Sequence, residues 1–158
     1  MNELPRTFKL VIIWLLIGTA VFLAVLWFES AQNKSSFSVT DNVIEIKRAR
    51  DGHYHWSGDI NGHQITFLID TGASMTSIPQ SLAEKAQLPV VGRVTFNTAN
   101  GTTRNNVVRG NLNLEGGVQM DNLRMGVLPD HSGQALLGMD VIGKLHMTQT
   151  EGIIRFER

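Results

Sequence analysis

The 158-residue sequence contains no cysteine, which excludes disulfide scaffolds, thiolate metal sites and cysteine nucleophiles. It has no excess of either charge: 14 Lys and Arg against 14 Asp and Glu leave a formal net charge of zero. Such a chain lacks the basic surplus that holds nucleic acid by counterion release, and no nucleic-acid partner is expected. Prolines number only four and charged residues make up 18%, while 42% of the residues are apolar, so a highly charged disordered tail is excluded as well. Fifteen glycines point to many turns rather than to a long helical bundle. No internal repeat is present.

The apolar residues are unevenly spread. Leu10 to Phe28 is a run of 19 residues without a charge. At about 1.5 Å per residue it reaches roughly 28 Å, close to the ~30 Å hydrocarbon core of a bilayer. It is apolar all round, unlike the striped helix of a soluble core. The rival is a cleaved signal peptide, whose apolar region is shorter and ends in a small-x-small site. Here Leu26-Trp27-Phe28-Glu29 is a bulky exit, and a cut after Ala31 would put Glu29 at the third position before it. The run is therefore read as a retained transmembrane helix. Arg6 and Lys9 precede it, which keeps the N-terminus, 1–9, in the cytoplasm. The span is 10–28, a polar linker follows at 29–37, and one compact domain fills 38–158 on the other side.

That domain reads mostly as short strands. Asn61-Gly62 lies between the strand-like runs His53–Ile60 and His63–Asp70, a type I′ hairpin signal. Ser81–Gln87 reads as a short helix between Pro79 and Pro89. Asn100-Gly101 marks a second, polar hairpin, and Gly116-Gly117 a further turn. Ala135-Leu136-Leu137 is a short apolar strand, Met139–Leu145 a helical turn, and Ile153–Phe156 a terminal strand. Many short strands with Gly-rich turns predict an all-β fold, a small barrel or sandwich.

Chemistry concentrates in Phe67-Leu68-Ile69-Asp70-Thr71-Gly72-Ala73-Ser74. A strand ends at Asp70 and delivers a carboxylate into a tight turn, where Gly72 leaves room for the backbone. An acid at a buried strand end needs partners or a raised pKa. Taken alone, Asp-Thr-Gly is better explained by an Asp that opens a turn. A second element, Leu136-Leu137-Gly138, lies 68 positions after Leu68 and adds weight.

The pairing of apolar-apolar-Asp-Thr-Gly with a later apolar-apolar-Gly resembles one lobe of an aspartic protease. Its spacing and domain length are similar to the single-lobe retropepsins. Leu136-Leu137-Gly138-Met139-Asp140 and the N-terminal helix resemble the bacterial membrane-anchored group among them. That resemblance implies a small closed β-barrel with one short helix behind the anchor, in a bacterial inner membrane with the domain periplasmic. It implies an aspartic endopeptidase that acts on polypeptides without metal or cofactor. The chain carries one such Asp loop, since Asp130-His131-Ser132-Gly133 has an extra residue and no apolar pair before it. A working site would then take Asp70 from each chain of a homodimer. Asp70 would be catalytic, with Thr71, Gly72, Ala73 and Ser74 forming the active-site loop. Thr98, Ala99, Asn100 and Gly101 would form the flap over substrate, although an ordinary exposed hairpin explains that spacing equally.

Other residues draw plainer readings. His53 and His55 are taken as a solvated strand face rather than a metal half-site. Asp140 is read as the cap of the turn Met139–Leu145, Trp56 as core, and Asp59 as turn chemistry. No Gly-x-Ser-x-Gly elbow supports a serine hydrolase. The rival function is a non-catalytic membrane-anchored peptide-binding or dimerisation module on the same fold, and a third reading makes the anchor itself the functional part of an envelope protein.

Overall fold

Residues 6–32, 35–40, 42–98, 101–130 and 134–157 are described in a computed structural model of the chain. Two units emerge, Met1–Lys34 and Ser35–Arg158. In the first, α1 (Arg6–Gln32) is one uninterrupted helix. Its segment Thr7–Trp27 is long and apolar enough to cross a membrane. Thr19 donates its hydroxyl to the Leu15 carbonyl at 2.8 Å, so the one hydroxyl of the apolar run is satisfied inside the helix. The helix runs on to Gln32, into the stretch expected to be a linker, because Glu29-Ser30-Ala31-Gln32 has neither Gly nor Pro to end it.

The second unit holds β1 (Phe37–Thr40), β2 (Val43–Lys47), β3 (His55–Ile60), β4 (His63–Ile69), β5 (Ser77–Pro79), α2 (Gln80–Lys85), β6 (Val90–Thr98), β7 (Gly101–Leu114), β8 (Val118–Leu128), β9 (Ala135–Leu137), α3 (Met139–Ile142), β10 (His146–Thr150) and β11 (Ile153–Glu157). Six strands close a barrel in the order β3-β4-β9-β5-β8-β7, with β7 returning to β3, and β6 extends the sheet beyond β7. This is the small closed all-β barrel expected from the sequence. Closure depends on Gly58, where a Cβ would stand 2.4 Å from the Asn113 carbonyl oxygen, so only glycine lets β3 and β7 meet. The β3–β4 turn has φ of 49° at Asn61 and 84° at Gly62, the pair of positive values a type I′ turn needs.

A second sheet, β1-β2-β11-β10, packs its buried face on the barrel. Alternation along β2 and β11 turns Ile44, Ile46, Ile154 and Phe156 inward. Phe156 stacks on the fully buried Trp56 of β3, with ring centroids 4.6 Å apart. The indole N–H donates to the Glu115 carbonyl at 2.8 Å. Burying each of these rings stabilises the fold by roughly 1.5–3 kcal/mol.

Three strands escaped sequence reading. β1 begins inside the expected linker, β5 has three residues, and β10 is polar and largely exposed. The reading of the histidines is corrected. His53 is exposed and precedes β3, whereas His55 is buried and its Nε2 lies 2.7 Å from Asp51 Oδ2. A backbone N–H from His53 and the neighbouring His55 hold the Asp51 carboxyl below its ordinary value.

Candidate active site

β4 runs parallel to β9, with Leu68 opposite Leu136 and Ile69 opposite Leu137. The two apolar pairs noted in the sequence thus become adjacent strands, and their glycine-containing ends emerge side by side. The Asp70 N–H continues the ladder to the Leu137 carbonyl at 3.1 Å. After Asp70 the chain turns: the Ala73 N–H returns to the Asp70 carbonyl at 3.2 Å, and the Gly72 N–H donates to Asp70 Oδ1 at 2.8 Å. A Cβ on Gly72 would lie 3.2 Å from that same oxygen, so a side chain there would crowd the carboxylate. Asp70 is half-buried, Thr71, Gly72 and Ser74 are exposed, and Ala73 is half-buried. Among the described residues no cation pairs with Asp70.

A second layer of bonds clamps this turn. The Met139 N–H donates to the Ala73 carbonyl at 2.8 Å. Thr76, fully buried, donates both its N–H, at 2.9 Å, and its hydroxyl, at 2.8 Å, to Asp140 Oδ1. The Thr76 hydroxyl oxygen in turn accepts the Gly138 N–H at 3.1 Å. Gly138 lies so close to the loop that a Cβ would stand 2.6 Å from the Met75 carbonyl carbon. Asp140 is therefore not the cap of α3, as its sequence position suggested. The N-cap is Gly138, without a side-chain cap bond, and the Asp140 carboxylate is engaged by Thr76. Thr76 itself was missed. A lone Thr in an irregular loop carries no periodic signal, and its partner lies 64 residues away.

The hairpin expected to be the flap is formed by β6 and β7, with Asn97 opposite Thr102 and Thr98 opposite Gly101. Ala99 and Asn100, its expected tip, lie outside the described residues. A groove of about 390 Å³ lies between α2 and the base of this hairpin, and Asp70 does not line it. Asp130, rejected as a second catalytic loop, accepts the Ser81 N–H and hydroxyl at 3.0 and 2.8 Å, and so serves the first turn of α2. Among the described residues no group of three or more His, Asp or Glu is placed to hold a metal.

The family described as "gag-polyprotein putative aspartyl protease" matches residues 56–144, which include both β4 with its Asp70 turn and β9 with Gly138. The chain belongs to this retropepsin-like aspartyl protease family. Two solved structures share the fold of the aspartyl protease domain. The retropepsin-like aspartic protease of Rickettsia conorii superposes with a TM-score of 0.54 at 22% identity, over 78% of this chain and 93% of the other. The EIAV protease, solved with the inhibitor HBY-793, gives 0.51 at 17% identity, over 67% and 93%. No curated protein sequence matches the chain. At these identities the likeness speaks for the fold, and the chemistry rests on the residues themselves.

Proposed function

We propose that this chain is a membrane-anchored aspartic endopeptidase, active as a homodimer in which each protomer supplies Asp70. The observation that carries the reading is the Asp70 turn itself. One half-buried carboxylate is presented at a surface beside exposed Thr71 and Gly72, on a loop clamped by Met139 and Thr76. A single protomer offers one carboxylate and one wall.

Two such carboxylates about 3 Å apart cannot both ionise readily, so the pair shares a proton. One Asp70 then takes a proton from a water that attacks the scissile carbonyl, and the other protonates the departing amide nitrogen. Thr71 would bond across the two-fold axis, Gly72 would let the backbone approach, and Ala73 and Ser74 would form the floor. Thr98 to Gly101 would close over an extended peptide and supply main-chain hydrogen bonds. Helix 10–28 would anchor the domain 38–158, with the N-terminus cytoplasmic and the domain periplasmic in a bacterial inner membrane. Confinement to one membrane would raise the local protomer concentration without any new contact.

The test is peptide cleavage by the full chain and by Asp70→Ala, each with a thermal melt. Loss of cleavage with an unchanged melt is expected; cleavage retained by Asp70→Ala would remove the mechanism. Inhibition by statine-type peptides that mimic the tetrahedral intermediate is expected as well.

A further inference from the structure

We propose that the groove between α2 and the base of the β6–β7 hairpin is a second binding site for the polypeptide substrate, taking a segment that carries both apolar and acidic side chains; calling that polypeptide the substrate rests on the catalytic reading of Asp70 above. The groove has about 390 Å³ of space, and Asp70 is not among its walls. That size falls in the range of about 300–1,000 Å³ found for ligand sites. Ala83, Leu88, Val108, Val127 and Pro129 form an apolar floor. Val90 also lines it and is 61% exposed, the most exposed large apolar side chain outside α1 among the described residues. An apolar floor with an open apolar lip calls for an apolar side chain from outside.

Charge decides what accompanies that side chain. Val90–Leu114, the whole hairpin, has three arginines and no acidic residue, in a chain whose charges balance overall. Arg104 lines the groove, and Arg93, opposite Asn106 across the hairpin, shares that face. Both are exposed, and among the described residues no acid pairs with either. On the helix side, the Glu84 carboxylate already accepts the Gln80 amide at 2.7 Å. The hairpin wall thus offers two open guanidiniums and the helix wall an engaged carboxylate, so an acidic occupant turns its carboxylates toward the hairpin. Gln87 and Asn106, both exposed at the groove, carry amides that can donate to and accept from a peptide main chain. A lipid chain would leave the arginines and amides unused, and a free anion would leave the floor uncovered.

Binding is measured by fluorescence anisotropy on the full chain carrying Asp70→Ala, in non-ionic detergent micelles, so that cleavage plays no part. The probes are the labelled peptides Gly-Glu-Leu-Glu-Leu-Gly and Gly-Lys-Leu-Lys-Leu-Gly. The acidic peptide should bind at least about tenfold more tightly, and Arg93→Glu combined with Arg104→Glu should reverse the preference. Arg109→Glu, on the same strand but outside the groove, should leave it unchanged. Exchanging the leucines for serines should weaken the acidic peptide by about tenfold. Equal affinities for the two peptides, an equal loss in Arg109→Glu and in the groove variant, or indifference to the leucines would each overturn the site. In the active chain, joining the acidic segment through a flexible linker to a cleaved peptide should lower KM by about tenfold and leave kcat nearly unchanged. An unchanged KM would overturn the assignment to substrate. A wild type that cuts nothing would end the Asp70 reading and that assignment with it, while the anisotropy still decides the groove.

Discussion

Asp70 lies in the turn after β4 and Asp140 on α3 after β9, and their carboxylates have opposite surroundings. The Asp70 Oδ1 accepts one N–H, from its own turn, and the side chain remains half-open to solvent. The Asp140 Oδ1 accepts two bonds from the fully buried Thr76, far away in the sequence. One carboxylate is half-open to solvent and the other ties down Thr76 in the loop that follows Asp70. A loop that presents a charge at a surface needs rigidity from elsewhere, and here it comes from the acid on α3 and from Gly138.

Substitutions can break this contrast in order of size. Asp70→Asn should lower peptide cleavage about a thousandfold or more, as loss of a general acid–base group does, with little change in the melt. Asp140→Ala should act the other way round: it strands a buried N–H and hydroxyl on Thr76 and should cost about 2–3 kcal/mol in denaturant unfolding. Asp140→Asn keeps an acceptor and should cost clearly less, and the comparison of the two variants separates the bond from the charge. Gly138→Ala drives a methyl into the Met75 backbone and should cost about 1–3 kcal/mol, with cleavage falling as the Asp70 turn shifts.

The smallest effect tests the contrast on a third acid, Asp51. Its carboxyl is held below the ordinary 3.8 in the folded chain, so it stays ionised where the unfolded chain already binds a proton. Its stabilisation is complete above the ordinary value and is lost as pH falls through the lower, folded value. Asp51→Asn should therefore shift the melt slightly at neutral pH and not at all in strong acid.

Local chemistry was legible wherever one or two residues suffice to decide it. Asn61-Gly62 announced its hairpin because both positions need positive φ, and Trp56 announced the core by its size. Asp70 stood out only when Leu136-Leu137-Gly138 was read together with it, since an Asp-Thr-Gly by itself reads as a turn. Features that depend on a distant partner were misread or missed. Asp140 looked like a cap because the Thr76 bond spans 64 residues. His55 was misread for another reason: Asp51 is only four residues away, but an irregular turn rather than any periodic pattern brings the two together. β5 and β10 were invisible, one too short and the other too polar to show a period.

The sequence by itself determined the apolar N-terminal helix, the strand-and-turn character of the domain and the single Asp-Thr-Gly turn, because each follows from neighbouring residues and their backbone preferences. Only the tertiary structure decided that β4 lies against β9, that Thr76 holds Asp140, and that the Met139 N–H bonds to the Ala73 carbonyl of the Asp70 turn. Those outcomes come from closing the barrel, which brings segments more than 60 residues apart within hydrogen-bond reach and leaves no trace in any local pattern.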